Sequence, residues 1–339
     1  MKRRIFTGIF AGLGLLLLIL DGKTALSGAT EAVWMCLRVV IPSMFPFFLL
    51  SILLTGAFGG TGARWLTPIG RLLKIPGGSE TIFLTGLLGG YPSGAQATAQ
   101  AWRAGLLEQD EAERMLGFCS NAGPSFLFGV LSSKFPAGWM LWLLWVIHIL
   151  SAVAVGAILP GAKQKRRTEL PAQPVTLAQA MERALRITAN VCGWIVIFRV
   201  ILAFCTRWFL WLMPDWAQAA FSGGLELANG CVLLGTVENV GLRFLLCSGM
   251  LSLGGVCVAM QTASVAKGLR LTWYLCGKGL QCVISLLLAA FAQAVLFPMA
   301  LRCRISPVLP LVLGAALAFG IGLLQKREKS SSIPGIIGV

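Results

Sequence analysis

Apolar residues run in long blocks along this chain, separated by short polar or glycine-rich breaks. Seven blocks approach the ~20 residues that a helix needs to cross a bilayer. They are 5–20, 39–57, 114–132, 138–159, 189–210, 271–293 and 306–324. Pro42 and Pro46 lie inside the second and predict a kink there. Trp139, Trp142, Trp145 and Trp208, Trp211, Trp216 form two clusters of the kind found where amphipathic rings meet the membrane–water interface. The stretch from Gly161 to Pro174 is polar and basic, and Pro171 and Pro174 stop helices there. It divides the chain into halves.

Two further apolar stretches, 80–104 and 242–268, are interrupted. Gly89-Gly90-Tyr91-Pro92-Ser93-Gly94-Ala95-Gln96 breaks the first, and Gly254-Gly255-Val256-Cys257-Val258-Ala259-Met260-Gln261 breaks the second. Superposed on Gly89 and Gly254, the two breaks also match at Leu88/Leu253, Gly90/Gly255, Gln96/Gln261 and Ala101/Ala266. Each arm is about ten residues, or ~15 Å at helical rise, which is half of a ~30 Å hydrocarbon core. That length predicts hairpins that enter and leave on one side.

Charge supports the same choice. With a cytoplasmic N-terminus and two hairpins, the larger share of Lys and Arg falls inside; with two full crossings it falls outside. The tail Lys326-Arg327-Glu328-Lys329 is the misfit, lying outside in this scheme. The first hairpin then opens inward and the second outward. The expected architecture is an all-α polytopic membrane protein with about seven spans and two re-entrant hairpins in an inverted repeat.

Composition narrows the class further. Of 339 residues, 57% are hydrophobic and 12% charged, more apolar surface than a soluble fold can hide. The net charge of +15 sits in short clusters at block flanks, without the basic, aromatic-interleaved groove that nucleic acid requires. Ten cysteines are scattered with no metal spacing, and His148 is the single histidine. No metal, cofactor or catalytic triad is expected, and the chain is not expected to be an enzyme. Lys2-Arg3-Arg4 followed by Ile5–Leu20 resembles a signal peptide, but the apolar run is slightly long for one and favours an uncleaved first helix.

The candidate chemistry lies in the breaks. At the first tip, Gly90 lets the backbone turn, Tyr91-Pro92 stops the rising arm, and Ser93, Gly94 and Gln96 begin the falling arm. Free amides at a helix start suit anionic or carbonyl-rich solutes. The second tip offers Cys257, Gln261 and Thr262. Tight packing is the competing reading, since Ala97, Thr98, Ala99 and Thr262, Ala263, Ser264 are residues by which helices approach in lipid. Ser120 and Asn121 form another polar break in Phe118-Cys119-Ser120-Asn121-Ala122-Gly123-Pro124-Ser125, either a helix cap or a contact to a tip or solute.

Glu226 and Asn229 precede the second break. An intramembrane acid costs about 2.5–3.5 kcal/mol, so it is usually functional. Glu226 is expected to bind a cation, relay a proton or contact solute, or else to pair with Arg199 or Arg243. Lys278 calls for a partner in Glu226 or the Asn121 region, or for snorkelling to the surface. Glu108 to Arg114 is expected to be a solvated loop and helix start.

Three motifs together resemble a known family. Val40-Ile41-Pro42-Ser43-Met44-Phe45-Pro46-Phe47-Phe48, Gly90-Tyr91-Pro92-Ser93-Gly94-Ala95 and Phe118-Cys119-Ser120-Asn121-Ala122-Gly123-Pro124 look like those of YlbJ-type sporulation integral membrane proteins. These belong to a nucleoside-recognition "Gate" domain group, similar to parts of concentrative nucleoside transporters and ferrous-iron transporters. The resemblance covers about residues 30–293 and is strongest in the first half. The family more often has two Asn at Ser120-Asn121, Ser at Ala122, and Gly-Leu-Ser-Val-His-Ala-Gln where this chain has Gly255 to Gln261. This chain keeps the Gly and the Gln of that motif and lacks its Ser and His.

The expected organisation is a first helix (1–30), a Gate-like repeat (31–135), a connecting helix and basic cytoplasmic linker (136–175), an inverted second repeat (176–295), and a last helix with a basic tail (296–339). The expected function is a permease of a small polar solute, nucleoside-like or an organic anion, associated with sporulation. A non-transporting scaffold of spore development is the alternative. Expected partners are the bilayer of the cell membrane, a solute or coupling ion, and a second copy or other sporulation membrane proteins.

Overall fold

The computed structural model of the protein describes residues 2–57, 66–161 and 175–297. The expected seventh span, the basic tail and most of the central linker lie outside the described residues. The chain divides into two compact units, 1–289 and 290–339.

The first unit is a helical bundle. Its first half contains α1 (Lys2–Leu20), α2 (Gly22–Met35), α3 (Ile41–Ala57), α4 (Thr67–Leu72), α5 (Glu80–Gly89), α6 (Ser93–Arg103), α7 (Gln109–Cys119), α8 (Pro124–Val130) and α9 (Gly138–Ile158). A π-helical turn, Cys36–Val40, joins α2 to α3 just before Pro42, and Pro46 lies inside α3. The second half contains α10 (Leu177–Trp208), α11 (Asp215–Leu225), α12 (Leu227–Leu233), α13 (Val240–Leu253), α14 (Gly255–Val265) and α15 (Thr272–Phe291). Among the described residues, five helical runs are long and apolar enough to cross a membrane: Gly22–Leu54, Gly138–Ile158, Leu177–Trp208, Val240–Val265 and Thr272–Val295. Many large apolar side chains point outward, such as Leu50 (63% exposed) and Leu287 (66%), as a lipid-facing surface requires.

Three expectations change. The span expected at 39–57 is the later part of a longer run beginning at Gly22, and the one expected at 189–210 begins at Leu177. Block 114–132 is not one helix. It breaks over Ser120–Gly123, where Ser120 and Gly123 have extended backbone and Pro124 starts the next helix without an N–H to join to the last.

The third change is the largest. Residues 80–104 do fold back on themselves: a Cβ on Gly86 or on Gly94 would strike the Cys119 carbonyl and the other glycine's Cα, so α5, α6 and α7 meet at backbone distance. Residues 242–268 do not. At the start of α13, Arg243 donates to the carbonyls of Lys134 and Val237, beside the beginning of α9. Midway, Ser252 meets His148, near the middle of α9. At the far end of α14, the Val265 carbonyl accepts from Arg103 at 2.7 Å, at the end of α6. The segment therefore runs from the Lys134 end of the bundle to the opposite end, where Arg114 binds the carbonyls of Leu73 and Gly156. Gly254 and Gly255 both take φ +77°. They turn the helix axis there without reversing it, and the small residues of α13 face other helices, as Gly249 does Leu286.

The second fold-back is upstream. On α11 and α12, Gly230 packs against Gly223, and a Cβ there would also lie 3.0 Å from the Ala219 carbonyl. The turn between these arms is Glu226.

Candidate functional site

The two fold-backs and the two breaks in crossing helices meet in the middle of the bundle. Gly90 (φ +71°) touches the break at Gly123, where a Cβ on Gly90 would lie 2.9 Å from the Gly123 nitrogen. Only glycine combines that φ with so close an approach. A Cβ on Gly255 would lie 2.6 Å from the Gly223 carbonyl oxygen, so the second pair meets in the same way.

A connected polar cluster fills the first meeting point. The Tyr91 hydroxyl donates to the Leu251 carbonyl at 3.1 Å. Lys278, 2% exposed, donates to the Tyr91 oxygen (3.3 Å), to Gln281 Oε1 (2.7 Å) and to the Ser120 carbonyl. Gln281 Nε2 donates to Asn121 Oδ1 (3.1 Å) and the His148 carbonyl (3.4 Å), while Asn121 Nδ2 donates to the Phe118 carbonyl (2.7 Å). The Ala122 amide donates to His148 Nε2 at 3.0 Å. That nitrogen is therefore the acceptor, and Nδ1 carries the proton toward Ser252 Oγ, 3.3 Å away. The buried hydroxyls of Ser120 and Ser125, in the same break, have no hydrogen-bond partner among the described residues.

Glu226 sits at the second tip, 3% exposed. Its Oε1 accepts from the Ala228 amide (3.0 Å), and its Oε2 accepts from the Asn229 amide and side chain (2.7 Å each). These bonds cap α12 and give the carboxylate its donors. Neither expected arginine pairs with it: Arg199 binds Glu31, and Arg243 binds backbone carbonyls.

Three cavities surround this centre. A small one of about 30 Å³ is lined by Tyr91, Ala122, Gly123, Glu226, Val258 and Gln261. One of about 300 Å³ is lined by Thr85, Ser93, Gln96, Gln100 and Arg183, among others. One of about 440 Å³ has Glu31, Arg38, Lys134, Arg199 and Asn229 in its wall.

The predicted residues thus separate. Gly90, Tyr91, Ser120, Asn121, Glu226 and Gln261 converge on the centre. Ser93 and Gln96 face the 300 Å³ cavity, and Pro92 caps α6. Gly94 is a packing residue. Asn229 bonds Glu226 and lines the 440 Å³ cavity. Cys257 and Thr262 are buried on α14, with Cys257 Sγ accepting from Gln261 at 3.4 Å. Lys278 joins the Ser120–Asn121 region and does not snorkel. His148, Ser252 and Gln281 are additions that the sequence reading misses. The signal for Lys278 and Gln281 is two polar residues three apart on one face of an apolar helix.

One curated relative bears on identity. The sporulation integral membrane protein YlbJ of Bacillus subtilis (strain 168) is 32% identical over 139 residues, 39% of this chain and 33% of that protein. The match thus spans about a third of the relative's length. No family model matches, and no solved structure matches. Over that aligned part, the chain is similar to this sporulation integral membrane protein.

Proposed function

We propose that this protein is a multi-pass membrane transporter of a small polar solute, working in sporulation as its relative's name implies. One observation carries the reading: two helical hairpin tips and two helix breaks converge on a cavity lined by Tyr91, Gly123, Glu226 and Gln261, beside the Lys278 polar cluster. In a membrane, broken helices are tolerated where their free backbone groups meet protein or line a cavity, and transporters place their sites there.

The proposed architecture is an inverted repeat, with a register that differs from the one the Gly-Gly pairs suggest. The first half runs as span α2–α3, hairpin α5–α6, broken crossing α7–α8 and span α9. The second runs as span α10, hairpin α11–α12, broken crossing α13–α14 and span α15. Each second-half element travels in the opposite sense. In this register Gly90 corresponds to Glu226, and the Ser120–Gly123 break to Gly254-Gly255.

Charge orients the bundle. Arg71, Lys74, Arg103, Arg114, Arg183, Lys267 and Arg270 lie toward one end, and Lys23, Lys134, Arg207 and Arg243 toward the other. The richer end faces the cytoplasm by the positive-inside rule. The 300 Å³ cavity then opens inward and the 440 Å³ cavity outward. The 30 Å³ cavity lies at the tips, which move apart there to pass solute.

A scaffold role is the second reading, favoured by how completely Lys278 and Glu226 are bonded. Flux separates the two. Protein reconstituted in liposomes is offered a panel of labelled nucleosides, nucleobases and organic anions. The transporter reading expects uptake of at least one, lost in Asn121→Leu and Glu226→Leu variants that remain folded. No binding and no flux across the panel leaves the scaffold.

A further inference from the structure

The Lys278 ammonium has three N–H donors and is held by three oxygens from three separate elements. These are the Ser120 carbonyl in the α7–α8 break, the Tyr91 hydroxyl at the tip of the first hairpin, and Gln281 Oε1 on α15 itself. Because Tyr91 gives its own proton to the Leu251 carbonyl, it meets Lys278 through an oxygen lone pair. The Tyr91 ring lies 5.2 Å from the ammonium and adds its electron-rich face. No carboxylate among the described residues bonds Lys278.

This is an unusual setting for a buried lysine. An isolated buried charge ordinarily finds an acid. Here the shell is neutral oxygen only: a main-chain carbonyl from an unwound segment, an amide carbonyl and a hydroxyl. Those are the donors that hold hard cations in proteins, and carbonyls of interrupted membrane helices are the usual source of them at a midplane site. The oxygens also join the hairpin tip to the broken crossing and to α15.

We propose that Lys278 is a tethered cation occupying an oxygen cage of the kind that takes a dissolved alkali-metal ion, so that the first hairpin is pinned closed without sodium or potassium. An ion bound from solution would leave when its site opens. A lysine stays on its stem, so the latch re-forms at no cost in ion concentration. The inference concerns how the tip is held and does not require that the protein move any solute.

The test reads stability. Wild-type protein in detergent is heated in sodium, potassium and methylammonium chloride, with choline chloride as the bulky control at equal ionic strength. Wild-type protein is expected to unfold at the same temperature in all four; a saturable sodium- or potassium-specific rise overturns the proposal. Lys278→Ala empties the cage and Lys278→Met fills it with apolar atoms. Both are expected to lose on the order of 5 °C. Only Lys278→Ala is expected to regain stability, saturably, with a small cation. If neither variant responds to any cation, or if Lys278→Met matches wild type, the proposal fails. The wild-type arm decides by itself should the variants not fold.

Discussion

Gly254 and Gly255 share a backbone conformation but not a neighbourhood, so paired alanine substitutions can isolate a helix-to-helix contact. Both have φ +77°. An L side chain in that left-handed region costs about 1–2 kcal/mol, and both variants bear that cost. What differs is the space. A Cβ on Gly254 would lie 3.3 Å from the Val258 side chain and 3.4 Å from Tyr91 Cζ, contacts that small side-chain shifts relieve. A Cβ on Gly255 would lie 2.6 Å from the Gly223 carbonyl oxygen and 3.0 Å from that of Gly224. Those are backbone atoms at the end of α11 and cannot swing aside, so the second hairpin must move off α14. Overpacking of this kind costs about 1–3 kcal/mol. Gly254→Ala is therefore expected to lose about 1–2 kcal/mol and Gly255→Ala about 2–5 kcal/mol.

Reversible unfolding in mixed micelles measures both, with Gly105→Ala as the reference. Gly105 has φ +72° and open space around it, so it reports the backbone cost alone. If Gly255→Ala is no worse than Gly254→Ala, the second hairpin does not rest on α14, and the convergence of tips and breaks is wrong. If all three are near neutral, the left-handed turn itself is wrong.

Two further predictions test the frame around that contact. In a cysteine-free background, Lys267→Cys should react with an impermeant maleimide from the side that also labels Gly105→Cys, and Glu238→Cys from the opposite side; labelling of positions 238 and 267 from one side would restore a hairpin at 242–268. Arg114→Lys should lose about 1–3 kcal/mol for each carbonyl left unbonded. The guanidinium reaches the carbonyls of Leu73 and Gly156 at 2.7 Å each and of Lys74 and Leu159 at 3.3 Å, which a point-like ammonium cannot span. Thermal unfolding within about 0.5 kcal/mol of wild type would show that this buried arginine does not tie α9 to the loop after α4.

Much of the fold is legible in the sequence because lipid enforces simple rules. Apolar blocks near span length mark the crossings, and Gly90-Tyr91-Pro92 marks a real reversal. The polar break at Ser120–Asn121 is visible as chemistry but falls inside an apparently continuous span, because an apolar window averages over four residues that break a helix. Glu226 stands out correctly as a buried acid, yet its place at a tip is hidden. Gly223-Gly224-Leu225-Glu226-Leu227-Ala228-Asn229-Gly230 joins arms of 11 and 7 residues, too short to score as membrane segments. Lys278 in the sequence is a single charge in an apolar run. Its partners come from positions 91, 120 and 281, and nothing in a linear pattern brings those together.

The misassigned hairpin has an instructive cause. A Gly-Gly pair in an apolar run signals that the helix breaks, and Gly89-Gly90 and Gly254-Gly255 both do that. It does not say whether the chain reverses. Reversal requires the two arms to pack on each other, and close packing of short arms needs small residues that face across the turn. Gly86 and Gly94 face each other in this way across the first tip, as do Gly223 and Gly230 across the second. Gly249 on α13 instead faces Leu286 on α15, and no glycine on α14 looks back at α13. The discriminating signal is therefore a pair of glycines flanking the turn at seven- or eight-residue separation, not the glycines within it. That pattern points to 223–230 and away from 242–268.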